Sequence, residues 1–555
     1  MYGVEESIEQ ETGKGRTYGR LGVHKGEAEN EYVFRTVKND AERAELTGDL
    51  NLWGGTPMEK TADGVWETRV KSDISLEGTC YKYRFYTGDE CILEPDAYAR
   101  YAQWGDHDAS IIYFGEYEWS DGEWMTKRKS KLKDVPINIY QIHLGSWRVR
   151  EGRSYKEGDV YLNYRDIACA LVEYVSEMGY THISLLPLTE DKIGNAFAPT
   201  SKHGHPDEFK HFVDVMHREG IGVILQWSDL CMGDGKDIDE IVSNATYWLD
   251  EFHIDGLCIR EGARYAAEIF EAVKREYPDA LTLCSEQEGK LVSPFVDLFL
   301  DRGWSDTVMD YARSDPHYKK YKYGKLNRSL TESFGKRNVL PISSDDVSIG
   351  KRTLIDKMQG GYEEKFARLR LFYSFMMTHP GKKLTFMGCE IGEEAEWNGR
   401  DPIEWFLVDC EANGKLKRFF RAANRLYLDT PALWENDFSW RGFEWITPIE
   451  PHVGVLAFKR ISGCGEQIIS VMNFNGDKKR EQTVLWKGGL VPVLLLNSDA
   501  REFGGKDALM FSDKSDGKQG MGYFYLPPLS AAVLKLEKEK KSPFFEKTID
   551  YSRGV

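Results

Sequence analysis

A glycine-bounded apolar triplet, Leu257-Cys258-Ile259, lies between two amphipathic runs and narrows what this chain can fold into. The first run, Ile238 to Phe252, carries apolar residues at helical spacing, and a second goes from Ala263 to Tyr277. The triplet belongs to His253-Ile254-Asp255-Gly256-Leu257-Cys258-Ile259-Arg260-Glu261-Gly262. It is short, holds a β-branched residue and is bounded by glycines, so it reads as a buried strand. Helix, buried strand and helix at this spacing form a piece of a parallel α/β architecture.

The same alternation extends to either side. Strands are expected at Ile137–His143, ending in Leu144-Gly145-Ser146-Trp147-Arg148, and at His182–Pro187, Gly222–Trp227, Leu281–Cys284, Val296–Leu300, Val339–Ser343 and Lys383–Met387. Helices are expected at Tyr164–Met178 and from Pro206 to about Glu219. Units in series of this kind build a (β/α)8 barrel, here over residues 134–433. The α/β class rests on periodicity; the count of eight rests on the family resemblance given below.

Upstream, short segments that alternate apolar and polar residues (Tyr32–Val37, Ala44–Thr47, Val65–Val70, Tyr81–Tyr86) predict a small β-sandwich over 18–120. Past a helix at Lys415–Leu428, β-like runs return at Val453–Phe458, Gln467–Met472 and Ala531–Leu536, within a C-terminal segment of 434–538. Residues 1–17 and the Lys-rich tail 539–555 read as loosely ordered. Three domains fit a length of 555 residues.

Charge and composition exclude several classes of function. A net charge of −17 argues against nucleic acid and anionic membrane as partners. Nine scattered cysteines without C-x-x-C pairs indicate reduced thiols. With no apolar leader and no run of membrane-spanning length, a cytoplasmic protein is the expectation. No metal constellation stands out, and no cofactor is expected. His24, His143 and His182 are lone histidines, read as structural. Aromatics at 13% serve either core packing or sugar stacking, and composition does not choose.

Several motifs carry a family resemblance across about residues 18–536. They are Ile142-His143-Leu144-Gly145-Ser146-Trp147, Phe197-Ala198-Pro199-Thr200-Ser201, Gly220–Leu225, His379–Leu384 and Glu396-Trp397-Asn398, together with the His253–Gly262 stretch. On these the chain resembles the glycogen branching enzymes of the α-amylase superfamily (glycoside hydrolase family 13). The resemblance implies a TIM barrel, a C-terminal β-sandwich, and an N-terminal starch- or glycogen-binding module carried by Gly48–Trp53, Gly64–Glu67, Tyr81–Tyr83 and Pro95–Ala99. Trp53 matches a position that stacks on glucan in some relatives, and both that role and a structural one stay open. Trp66 sits mid-strand and reads as core.

The reaction that the resemblance implies is a retaining transglycosylation. It needs two carboxyl groups about 5 Å apart, at the C-terminal ends of barrel strands. Here the nucleophile position holds Arg260 and the acid/base position Ser285; Cys258, Gln226, Cys231 and Ser344 replace supporting residues. Only Asp345 survives of the carboxylate triad. Arg260 brings a cation to a site of developing positive charge, where a unit charge roughly 4 Å away is worth about 4 kcal/mol. Glu261 and Glu286 stand one residue away, and each needs a bulge to point inward. The connections from Cys231 to Asp255 and from Arg260 to Ser285 are short, and Glu190–Asn195 lacks the family's sugar-platform tyrosine.

Three readings follow. The first is a non-catalytic relative that binds α-glucan or a protein partner of glycogen metabolism, with Arg260 paired to Asp345 or Glu286. The second is an active 1,4-α-glucan branching enzyme using substitute carboxylates. The third is a Cys/His chemistry, with Cys231, Cys258 and Cys284 clustered at the barrel mouth near His203 and His205. Trp397 is either packing at the last barrel loop or a sugar contact.

Overall fold

The computed structural model describes residues 17–105, 108–128, 135–151, 160–189, 196–228, 237–259, 265–285, 293–315, 317–450, 453–515 and 518–538, with Ser285 described in its backbone only. Eight parallel strands close into a barrel, each bonded to the next in chain order and the eighth back to the first. They are Asn138–Ile142, His182–Leu185, Gly222–Trp227, Gly256–Ile259, Leu281–Ser285, Leu298–Leu300, Asn338–Ile342 and Lys382–Phe386. The register places Ile139 beside Leu384 at the closure and Cys258 beside Leu283. Ile139, Ile224, Cys258, Leu283, Leu298, Val339 and Leu384 form one buried cluster that fills the barrel. The alternate residues face outward onto the helices Tyr164–Met178, Pro206–Arg218, Ile238–Glu251, Ala266–Glu276, Arg302–Arg313, Tyr323–Glu332 and Tyr362–Thr378.

Helix caps follow the local chemistry. Asn163 accepts from the Asp166 amide and Asp237 from the Glu240 amide, each satisfying an orphan donor of the first turn. One boundary departs from expectation. The first strand stops at Ile142, and Leu144–Trp147 makes a helical turn instead of extending it. The Ser146 and Trp147 amides both bond to the His143 carbonyl, and the turn drives the Trp147 ring into the core at 0% exposure.

Two sheets make the N-terminal sandwich. One contains Gly22–Lys25, Glu31–Val37, Val65–Lys71 and Glu59–Lys60; the other contains Thr56–Pro57, Arg43–Gly48, Cys80–Thr87 and Glu90–Glu94. Phe34, Leu46, Trp66, Tyr81 and Tyr83 are packed between them. After the helix Glu411–Asp429, a five-stranded and a three-stranded sheet form the C-terminal sandwich around Val455, Val471, Trp486, Phe524 and Leu534. Arg460 anchors it to the barrel: fully buried, it donates to Asp437 (2.8 Å) and to the Thr378 carbonyl (3.0 Å).

The His253–Ile259 stretch does its polar work at the N-terminal end of the barrel. Asp255 accepts from the Val223 amide (2.7 Å), the Trp124 indole (2.8 Å) and His217 Nε2 (2.9 Å). Asp121 holds the other nitrogen of His217 (2.8 Å) and also His253 (2.9 Å), whose ring stacks on Trp119. Burial alone lowers the His217 pKa, but Asp255 and Asp121 outweigh it and push the value up to about 9. Among the described residues, no helix is long and apolar enough to cross a membrane.

Candidate functional site

In a barrel of this kind the chemistry sits where the strands end, at the C-terminal face. Gln226 lies near the end of the third strand, buried and in register with Cys258. Beyond the seventh strand the chain turns at once into the helical turn Ser344–Val347. Asp346 caps that turn: one carboxylate oxygen accepts from the Ser343 amide (2.8 Å) and hydroxyl (2.9 Å), the other from the Ser305 hydroxyl (2.7 Å). The Ser344 amide donates to Gln141 Oε1 (2.8 Å), which ties the seventh strand's end to the first strand.

This turn presents Asp345 outward, with its side chain 38% exposed. There it meets Arg302, the first residue of the helix after the sixth strand, at 2.5 Å. Arg302 carried no signal in the sequence, because the strand that delivers it is only three residues long. Arg260, Glu261, Cys231 and Glu286 lie outside the described residues, as does the side chain of Ser285. The expected partnership of Arg260 with Asp345 or Glu286 therefore falls outside them too, and Arg302 is the cation described on Asp345.

The expected cysteine cluster is corrected for Cys258 and Cys284, the two of its three members that are described. Cys258 faces the barrel interior beside Leu283, whereas Cys284, the next residue along that strand, packs into the outer core. Side chains alternate faces along a strand, so cysteines one residue apart in register cannot share a mouth. The histidines of the same reading are occupied. His203 is buried, with Nδ1 on the Leu162 carbonyl, and burial lowers its pKa to about 4. His205 accepts from the Asp207 amide as the cap of the helix Pro206–Arg218.

Trp397 is packed at the last barrel loop. Its indole donates to Ser146 Oγ (3.0 Å), and its ring lies edge-on to His143 and Phe386. The pocket beside it, bounded by Val347, Phe386, Cys389, Glu393 and Ile403, has a volume of about 40 Å³, too small for a sugar ring. Burial pushes the Glu393 carboxyl there up to about 7, with the Glu404 charge adding to the rise. A larger cavity of about 570 Å³ lies at the opposite end of the barrel, among Trp124, Arg128, Thr181 and Asp255. Volume therefore does not locate the cleft, and strand polarity does.

The N-terminal module offers a second candidate surface. Leu52 and Trp53 are consecutive non-glycine residues with φ of 54° and 61°. Such conformations cost of order 1 kcal/mol or more each and persist where the surroundings enforce them. Here Asn51 bonds to the Gly48 amide, the Leu46 carbonyl and Thr56, while Asp49 accepts from the Trp53 indole (3.0 Å) and the Cys80 amide (2.8 Å). The result is a braced loop that holds an indole at the surface, 42% exposed. Trp66 lies on the opposite side of the question: buried, its indole bonds to the Lys38 carbonyl.

Comparison with known proteins places these features. Residues 20–99 match carbohydrate-binding module 48 (isoamylase N-terminal domain), and residues 445–537 match the alpha amylase C-terminal all-beta domain. The chain is 33% identical to the 1,4-alpha-glucan branching enzyme of Aquifex aeolicus, over 94% of this chain and 96% of that protein. It is 32% identical to the 1,4-alpha-glucan branching enzyme of Albidiferax ferrireducens, over 88% and 91%. Among solved structures, the Group B Streptococcus pullulanase in complex with maltotetraose superposes with a TM-score of 0.69 at 15% identity, covering 94% of this chain and 88% of that one.

Proposed function

Since the chain belongs to the 1,4-α-glucan branching enzyme family, we propose that it is a glucan-binding member whose barrel does not perform the branching transfer. The observation that carries this reading is the pairing of what is kept with what is replaced. The module that matches a carbohydrate-binding family presents a braced, exposed Trp53. An aromatic face packs against the C–H face of a pyranose, and a rigid platform loses little entropy on binding. Glycogen or a related α-glucan is the proposed ligand.

In the barrel, the position of the attacking carboxylate holds Arg260 and that of the acid holds Ser285. An arginine is neither a nucleophile nor a proton donor at neutral pH. Loss of one member of a catalytic unit typically costs on the order of 10⁴ to 10⁶ in rate. Of the three positions of the triad, Asp345 keeps a carboxylate, and it is paired with Arg302. We assign the platform to residues 18–120, the barrel to 134–433 and the C-terminal sandwich to 434–538.

The opposing reading is an active branching enzyme, favoured by the identity to branching enzymes over most of the chain. It requires substitute carboxylates at both replaced positions, for which Glu261 and Glu286 are the candidates. Purified protein with amylose separates the two: a shift of the iodine spectrum reports branching, and retardation in a glycogen-containing native gel reports binding. Retardation without an iodine shift fits the proposal; an iodine shift abolished by Asp345→Ala overturns it.

A further inference from the structure

We propose a second α-glucan-binding platform, formed by Tyr318 and Tyr321 near the seam between the barrel and the C-terminal sandwich. The inference rests on the glucan-binding reading above. Tyr318 and Tyr321 are 60% and 70% exposed, unusually open for aromatic rings. The Tyr321 amide bonds to the Tyr318 carbonyl at 3.0 Å, closing a 3₁₀ turn. In that geometry residues i and i+3 eclipse, about 6 Å apart along the axis, so the two rings rise from one face.

The turn is fixed from below. Lys319, between the two tyrosines, is buried, with its ammonium 5.0 Å from the Tyr311 ring centre, and Tyr311 packs on Phe474 of the C-terminal sandwich. Asp310 takes Lys322 (2.7 Å) and Lys325 (3.1 Å), clamping the segment to the end of the helix Arg302–Arg313. His317 lies edge-on to Tyr318 at 5.2 Å, and the Lys320 ammonium sits over one face of Tyr321, 5.0 Å from the ring centre, so stacking on that ring uses its other face.

Exposed aromatic faces interleaved with hydroxyl-binding donors suit a sugar chain. Lysine is depleted from the cores of protein interfaces, yet here Lys320 lies between the two tyrosines. The acidic chain as a whole, at −17, disfavours nucleic acid. The platform is remote from the cleft: the helix that begins at Arg302, beside Asp345, runs 12 residues before this segment, about 18 Å. A glucan long enough to reach both Trp53 and this turn would be engaged at two points, which strengthens retention without new chemistry.

The test uses the full-length protein in native gels of graded glycogen content. Wild type, Trp53→Ala, Tyr318→Ala/Tyr321→Ala, all three together, and Tyr318→Phe/Tyr321→Phe are compared. We expect the double alanine variant to weaken apparent affinity about tenfold, in the wild-type and the Trp53→Ala background alike, and the phenylalanine pair to keep most of it. Retardation in wild type that is unchanged by the double alanine substitution in both backgrounds overturns this platform and leaves Trp53 standing. Loss of self-association with unchanged retardation overturns it in favour of a protein-docking role. No retardation of wild type at any glycogen content overturns the glucan-binding reading and this inference together.

Discussion

Replacing His217 with glutamine removes a cation that two buried carboxylates share, and the structure sets both the size and the pH dependence of the effect. His217 is fully buried between Asp121 and Asp255. Its pKa in the fold is about 9, against an ordinary 6.5. At 1.36 kcal/mol per pKa unit, that difference is worth about 3 kcal/mol. The folded value lies above the unfolded one, so the stabilisation is complete below pH 6.5, declines as pH rises toward 9 and is absent above it. The carboxylates keep other partners in the variant: His253 on Asp121, and Trp124, the Val223 amide and Arg128 on Asp255. The loss is therefore placed at the low end of the 3–5 kcal/mol typical of a broken buried pair. Unfolding in urea, followed by tryptophan emission at pH 6, 7.5 and 9.5, measures the wild-type-minus-variant gap in midpoint. The gap should be widest at pH 6 and nearly closed at pH 9.5. A gap that stays constant over this range, or widens with pH, refutes the assignment of a protonated His217.

Trp66→Ala should cost about 3–5 kcal/mol in the N-terminal module, because the ring is buried and its indole is bonded, and should lower the temperature of the first thermal transition. Trp53→Ala removes an exposed ring and should leave the melting temperature within a degree or two, while weakening retardation by glycogen. Arg302→Ala breaks a half-exposed ion pair and should change stability by no more than about 1 kcal/mol, read by the same urea titration; a larger loss would show that the pair does more than pin Asp345.

Much of the scaffold was legible in the sequence. The helix Tyr164–Met178 and the strand Gly222–Trp227 fall where periodicity placed them, since each combines a clear repeat with sharp terminal signals. The sixth strand was the weakest, and with only Leu298–Leu300 to mark it, nothing announced that Arg302 would reach Asp345. Pattern also could not tell which end of a strand a polar residue serves. His253 and Asp255 flank the strand nearest the expected chemistry, yet their side chains tie the barrel's N-terminal end to Asp121, His217 and Trp124. The cysteine reading failed for a related reason. Cys258 and Cys284 lie at the ends of neighbouring strands, which suggests a shared mouth, while the two-residue alternation of strands sends Cys258 inward and Cys284 outward. The expectation that Arg260 and Ser285 stand at replaced positions rests on the motifs around them, His253–Gly256 before the one and the strand Leu281–Ser285 at the other.

The central claim is a glucan-binding branching enzyme relative without the transfer step. The most direct measurement incubates purified protein with amylose, debranches the product with isoamylase and separates the released chains by length. The account predicts a chain profile identical to that of untreated amylose, even at enzyme concentrations matching the substrate, with retardation by glycogen in a parallel gel. A new population of short chains from wild type, absent with Asp345→Ala, would contradict it.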